Sequence, residues 1–489
     1  MQTPRVPIRL LKHRRICVHW LWELKALVTK KKLSRNAFGG NLPAPMQQVN
    51  LGILGGGTVG GGVFQAIQRN GALISSRLGV RLHIAKMVVR DLHKPRAVKI
   101  PPALLSTDYA EVVNDPKVNL IVELMGGTAT AREVVLSALK RGKPVVTANK
   151  ALLSAHGEEL FEAAQSCGTN LYYEASVAGG IPIIKVLREG LIGNRITRLY
   201  GIVNGTCNYI LTRMKLEGAD FADVLAEAQR LGYAEAEPSL DVDGHDAAHK
   251  IGILASLAHG FWVNPKHIYV EGIRNIAQLD IRFAGQLGYT IRLLGIVKKT
   301  DVGVRPRRKP NGCAPVQVSV YPTLVPNMHV LASVNHVFNA IYVRGDVVGD
   351  TLYYGRGAGQ DATASAVLSD LADAALDLKC GTKSRIPPFV PHEREGAVLP
   401  MDQVIARYYV RLSVIDKAGT LARIAAILGR AKIGISSVIQ PEGHEGESVP
   451  LILMIHDATN AAITQALARI GALPVVKAPP VMIRVENFE

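Results

Sequence analysis

Apolar positions recur along this chain in short blocks whose spacing alternates between that of strands and that of helices. Residues 49–54 (Val-Asn-Leu-Gly-Ile-Leu) make a short apolar run, and residues 61–68 after it have helical spacing. Similar short runs return at 83–89, 120–124 and 144–150. Short buried strands separated by stretches long enough for helices predict an open parallel sheet. Residues 171–182 predict one more strand, which breaks at Gly179, Gly180 and Pro182 as the chain leaves this unit. Residues 197–203 then read as a strand, 209–216 and 222–231 as helices, and 267–273 and 317–343 as strands of a second sheet. Residues 251–258 are apolar almost without interruption, and a helix apolar on all sides is a buried one. Residues 349–367 read as a glycine loop entering a helix.

The C-terminal pattern is self-contained. Residues 376–404, with Ile386-Pro-Pro and Gly396, read as a linker. Residues 407–414 alternate like a half-buried strand, and a helix follows through Gly429. Strands at 433–440 and 449–455, a helix at 460–470 and a strand at 475–485 complete a βαββαβ, ferredoxin-like order. The expected domains are therefore 46–180 with 350–375, then 181–349, and finally 405–489.

Composition changes this picture in one place. The chain has 489 residues and a net charge of +17, yet residues 1–45 alone hold ten Lys/Arg and a single Glu. More than half the excess charge thus sits in a head outside the patterned region. We expect that head to be a disordered or mis-assigned extension, with Met46 a natural start, rather than a transit peptide. Its apolar stretch, 16–28, is too short to span a bilayer, so no membrane partner is expected. No zinc finger, basic zipper or RNA-binding aromatic motif accompanies the charge, so no nucleic-acid partner is expected either. Five scattered cysteines (17, 167, 207, 313 and 380) without a CxxC fit a reducing, cytoplasmic compartment.

Two stretches carry chemistry. In the first, Gly55, Gly57 and Gly60 lie between a strand and a helix. There Gly55 permits the turn, Gly57 lets a pyrophosphate approach the backbone, and Gly60 allows close helix–strand packing. The fold expected is α/β: a Rossmann-like dinucleotide-binding domain, an α+β substrate and dimerisation domain, and the ferredoxin-like tail. Arg90, past the second strand, can pair with a 2′-phosphate, which favours NADP; Asp91 beside it leaves NAD possible. Thr128 follows the later strand at a turn near the cofactor, and Thr147, Asn149 and Lys150 end another, where ligands bind in such sheets. The second stretch runs from Glu235 to Lys250. It crowds Glu235, Glu237, Asp241 and Asp243 upstream of Asp246 and Lys250, which share a helix face four residues apart. An exposed ion pair is the ordinary reading of that spacing. On a buried helix, a lysine among carboxylates is instead a candidate acid/base group. Cys207 could be reactive, though a small buried packing residue is the simpler reading.

Over residues 48–375 these motifs, in this order, resemble homoserine dehydrogenases: 55–60, 147–150 (Thr-Ala-Asn-Lys), 174–182, 201–209, 243–250 and 355–359. The departures are the 45-residue head and Gly56, where a bulkier residue is common. The resemblance implies NAD(P)-dependent interconversion of L-aspartate 4-semialdehyde and L-homoserine, in threonine, methionine and isoleucine biosynthesis. By the same resemblance Lys250 is the proton donor, Lys150 assists, and Glu237 and Asp246 hold the substrate's amino-acid end. The candidate cofactor residues are Gly55, Gly57, Thr58, Val59, Gly60, Arg90, Thr128, Lys150, Gly205 and Gly359. A monovalent cation, Na+, would map to Glu174 and the carbonyls of Val177, Gly179 and Ile181. The tail, with Asp416 and Gly419 at its first strand–helix turn, resembles an ACT domain, which implies threonine as effector and a homodimer or homotetramer. Two rival readings remain: a semialdehyde dehydrogenase with Cys207 as nucleophile, and an inert amino-acid-sensing protein.

Overall fold

The computed structural model describes residues 46–299, 314–393, 395–442, 444 and 446–488. The basic head expected at 1–45 lies outside them, as do Cys17 and Cys313. The first sheet is built from β1 (Gln47–Leu54), β2 (Val80–Val88), β3 (Leu105–Ser106), β4 (Leu120–Glu123), β5 (Val145–Thr147) and β6 (Leu171–Tyr172). Every pairing in it is parallel and the strand order is 3-2-1-4-5-6. That is the doubly wound Rossmann order, whose direction of winding reverses between β1 and β4. The helix Thr58–Leu78 covers one face and packs against the later helix Gln360–Cys380. Val49, Leu51, Ile53, Val63 and Phe64 form the core beneath them with Ala364, Val367 and Leu371.

The second sheet contains β7 (Ile196–Ile202), β8 (Tyr269–Val270), β9 (Tyr289–Lys299), β10 (Val316–Pro326), β11 (Phe338–Gly345) and β12 (Gly349–Arg356). The tail contributes β13 (Ile405–Ile415), β14 (Ile435–Ile439), β15 (Ser448–Thr459) and β16 (Val481–Val485). The body strands run 12-11-7-9-10, and the tail strands follow as 16-13-15-14. Taken alone, the tail order is 4-1-3-2, the ferredoxin-like arrangement expected. The tail is continuous with the body sheet, because β16 pairs in parallel with β10, Thr323 opposite Arg484 and Leu324 opposite Val485.

Several elements differ from expectation. The apolar pattern does not predict β9, although it lies inside the second sheet between β7 and β10. Its residues 290–297 are all buried, so the run has no alternation to betray it. The expected glycine loop at 349–359 is mostly the edge strand β12, and only residues 357–359 form the turn before the helix. The long strand expected over 171–182 stops at Tyr172, because Glu174–Ser176 turns as a 3-10 helix and Ala178 takes φ 51°. Similarly, 267–273 shrinks to the two residues of β8, and the last strand starts at Val481 rather than 475. The helix Gln360–Cys380 also continues into the stretch expected to be linker. No helix among the described residues is long and apolar enough to cross a membrane.

Candidate active site

A cleft of about 890 Å³ opens beyond the carboxyl ends of β1, β2 and β4. Of the expected cofactor residues, Gly55, Gly57, Thr58, Arg90 and Thr128 line it. Gly60 lies beneath the loop, where a β-carbon would sit 1.9 Å from the Gly55 carbonyl oxygen. A β-carbon on Gly57 would meet nothing within 4 Å, so that backbone stands open to the cleft. The helix Thr58–Leu78 has no side-chain cap and no acidic residue in its first turn, which leaves its N-terminal N–H groups for an anion. Val59 and Gly60 stand in that first turn. Lys150, Gly205 and Gly359 are not among the lining residues; Gln360, next to Gly359, is. Sequence reasoning missed Lys94 and Arg96, which line the same rim as Arg90. The signal was present as three cations within seven residues. Arg96 also ties its own loop together, donating to the carbonyls of Asp91, Leu92 and Lys94.

Past the cleft the chain turns through Gly126 and Gly127, both left-handed at φ 73° and 75°. This turn is bonded to the start of the helix Lys150–Ser166. Asn149 caps that helix through its Oδ1 and donates from Nδ2 to the Gly127 carbonyl at 2.7 Å. Asn149 N–H donates to Thr147 Oγ1, whose hydroxyl donates at 2.6 Å to Glu123. Glu123 is fully buried at the end of β4 and also accepts from the Met125 N–H. Burial raises its carboxyl pKa, partly offset by these hydrogen bonds. It is a third residue that sequence reasoning missed.

Lys150, set by that helix start, places its Nζ 3.1 Å from Asp246 Oδ1. The other oxygen of Asp246 accepts from Lys250 Nζ at 2.8 Å and from Asn204 Nδ2 at 2.9 Å. Lys250 also donates to the Val203 carbonyl at 2.8 Å. Both charged residues lie on the helix His245–His259, which Gly244 opens at φ 88°, and both are buried, at 4% and 8% exposure. Burial pushes the Asp246 carboxyl up. The charges of Lys250 and Lys150 and the hydrogen bonds from Lys250 and Asn204 outweigh it, so the pKa lies far below the ordinary carboxylate range. The structure therefore brings together Lys150, Asp246 and Lys250, three of the expected site residues. The second carboxylate it adds is Asp241, which accepts from the same Asn204 amide at 2.7 Å. Glu237 stands apart and exposed, accepting from the Ser239 N–H and hydroxyl. Gly205 begins the helix Gly205–Glu217, where a β-carbon would lie 2.9 Å from the Val337 carbonyl oxygen.

Two matches decide the family. The family model named homoserine dehydrogenase matches residues 182–372, and its NAD-binding domain model matches residues 55–174. A homoserine dehydrogenase from Neisseria gonorrhoeae is 44% identical over 447 residues, covering 91% of this chain and all of that one. The chain belongs to the homoserine dehydrogenase family. A crystal structure of a homoserine dehydrogenase from Thiobacillus denitrificans matches with a TM-score of 0.82 at 42% identity, over 91% of this chain and 99% of that one. A hyperthermophilic archaeal homoserine dehydrogenase in complex with NADPH matches at a TM-score of 0.55 and 28% identity, over 68% of this chain and 98% of that one. Homoserine dehydrogenases are oxidoreductases, and the glycine turn of the cleft described above lies within the stretch that the NAD-binding domain model matches.

The environment of Cys207 argues against the rival thiol chemistry. The residue is fully buried, its Sγ donates to the Asp241 carbonyl at 3.1 Å, and burial followed by the nearby aspartates drives its pKa well up. A nucleophilic cysteine needs the opposite surroundings.

The remaining expected positions are placed as follows. Both carboxylate oxygens of Glu174 accept backbone N–H groups, from Ile184 at 2.9 Å and Lys185 at 2.8 Å. Burial nonetheless lifts its pKa to about 7. Val177, Gly179 and Ile181 form the turn around Ala178, with Gly180 N–H donating to the Arg356 carbonyl. In the tail, Gly419 (φ 84°) opens the helix Thr420–Arg430, and Asp416 accepts from Gln440 at 3.0 Å.

Proposed function

We propose that the chain reduces L-aspartate 4-semialdehyde to L-homoserine and catalyses the reverse oxidation, with Lys250 as the proton donor and NADP preferred over NAD. The observation that carries this reading is the buried Lys150–Asp246–Lys250 cluster bonded, through Asn149 and Gly127, to the cofactor cleft. When bound, the reduced nicotinamide supplies the hydride for the aldehyde carbon. The chain's own task is then the proton and the orientation. Lys250, fixed by Asp246 and the Val203 carbonyl, gives its Nζ proton to the oxygen that gains negative charge. Lys150 is the second ammonium at the site and stabilises the same oxygen. Asp246, ionised at all working pH values, together with Glu237 takes the substrate's amino-acid end. Arg90, with Lys94 and Arg96 on the same rim, supports recognition of a 2′-phosphate.

The buried turn at Val177, Gly179 and Ile181 offers hard carbonyl oxygens, which fit a monovalent cation such as Na+. Glu174 accepts one N–H on each carboxylate oxygen, which leaves each oxygen a lone pair for the same cation. The ferredoxin-like tail supports an ACT-type effector site at Asp416 and Gly419 for threonine, in a cytoplasmic homodimer or homotetramer. The domain division follows the two sheets and the tail.

The test is oxidation of NADPH and of NADH with L-aspartate 4-semialdehyde, for the parent and for Lys250→Ala, with and without threonine. Turnover in the parent, a drop of about 10³-fold in kcat for the variant, and inhibition by threonine are expected. Turnover that survives Lys250→Ala would transfer the proton donor to Lys150. Absence of turnover with either nicotinamide would overturn the reading.

A further inference from the structure

The tail's last strand reaches back toward the substrate side of the body. Arg484, in β16, is 1% exposed and lies between the rings of Tyr269 and Tyr321. Its Nη1 donates to Glu271 Oε2 at 2.7 Å, and its Nη2 donates to Asn460 of the tail at 2.9 Å. Tyr269 donates to the same Glu271 oxygen at 3.1 Å.

Glu271 opens a tight turn that is packed directly on the acidic segment. Ile273 N–H donates to the Val242 carbonyl at 2.8 Å. A β-carbon on Gly272 would lie 2.2 Å from that oxygen and 2.5 Å from Asp243 Cα, so the two backbones touch. One residue further, Arg274 grips both carboxylate oxygens of Asp243 and the Ser239 hydroxyl, and that hydroxyl donates to Glu237. The other side of the same segment is Asp241, held by Asn204 beside Asp246. Residues 237–243 are therefore suspended between the reacting centre and a turn whose first side chain is fixed by the tail.

We propose that Arg484 is a positioning residue for the substrate: through Glu271 it sets the 271–274 turn, and thereby the place of the 237–243 segment, which carries Glu237 at its exposed end and Asp241 on the Asn204 amide shared with Asp246. This rests on the reading above that Glu237 and Asp246 hold the amino-acid end. A buried guanidinium suits the task, because its planar fork fixes one carboxylate orientation where an ammonium would allow several. The tail is thus part of the substrate site's support, whatever it senses.

The experiment is steady-state kinetics of the full chain carrying Glu271→Gln, Arg484→Lys, Arg484→Met, Arg274→Met and Glu237→Gln. Arg484→Met removes a buried charge and can fail to fold, so Glu271→Gln, on the more exposed partner, is the primary variant. We expect Glu271→Gln and Arg274→Met each to raise KM for the semialdehyde by about tenfold, with kcat and KM for NADPH unchanged. Arg484→Lys should recover part of what Arg484→Met loses. A rise with Glu237→Gln and Arg274→Met, but none with Glu271→Gln or the Arg484 variants, would overturn the proposal and leave the substrate reading standing. No rise with Glu237→Gln would remove the substrate reading and the proposal with it. Equal losses in kcat and both KM values, together with a lowered Tm, would make the contact structural only and overturn the proposal.

Discussion

The glycine-lined cleft and the lysine–carboxylate cluster adjoin one another but are built of different materials. Beneath a rim of cations, the cleft is built largely on backbone: glycines without side chains, an uncapped helix end, and a turn of two left-handed glycines. The cluster is made of side chains, two ammonium groups and an ionised carboxylate taken out of water and tied to Asn204 and the Val203 carbonyl. Each material has its own weakness. The cleft should suffer from atoms added, and the cluster from atoms removed.

The largest effect should come from Asp246→Ala. It leaves Lys150 and Lys250 without their shared counter-ion, and breaking a buried pair in this way costs about 3–5 kcal/mol. Denaturant unfolding would read that loss, and a variant as stable as the parent would show that the cluster is not held by charge. A pH effect comes next. His259 ends the same helix as Lys250, and burial first, then the charges of Lys299 and His392, lower its pKa to about 4 from 6.5. A folded pKa below the unfolded one means stability is complete above pH 6.5 and is lost as pH falls toward 4. The slope is about 1.4 kcal/mol per pH unit. His259→Phe should flatten that part of the stability profile relative to the parent; parallel profiles would place the loss elsewhere.

On the cleft side, Gly60→Ala forces a β-carbon against the Gly55 carbonyl. Overpacking of this kind costs about 1–3 kcal/mol. It should appear as weaker NADPH binding in a fluorescence titration, with the Lys250 chemistry intact once cofactor saturates. The smallest effect is expected from Arg90→Ala. KM for NADPH should rise about tenfold through loss of a charge-assisted contact, while KM for NADH stays. An equal rise for both nicotinamides would mean that Lys94 and Arg96 read the phosphate.

The same contrast explains what could be read from the chain. The glycine fingerprint lies within six residues between a strand and a helix, so local order alone located it. Asp246 and Lys250 were legible for the same reason, being one helical turn apart. Asp241 and Glu237 were harder, because five carboxylates crowd one stretch and nothing local says which of them Asn204 will hold. Glu123 was visible as a charge inside the apolar run Leu-Ile-Val-Glu-Leu, but its partners Thr147 and Met125 come from a neighbouring strand and turn. β9 escaped because a run buried on both faces carries no period that distinguishes strand from helix. The tail's internal order was read correctly, since alternation and turns are local. Its pairing onto β10 rests on residues some 160 positions apart, and no pattern announces it.

That pairing governs what would follow if the tail were cut away. β10 would be left with open N–H and C=O groups along Thr323 and Leu324, and Asp280 would lose Arg411 and Tyr409. The apolar side chains of Ile452, Met454, Ile483 and Val485, which share the body's core, would leave with it. A raw strand edge beside newly exposed apolar surface is a template for other chains. A truncated form of this protein should therefore be recovered as aggregates rather than as a smaller enzyme.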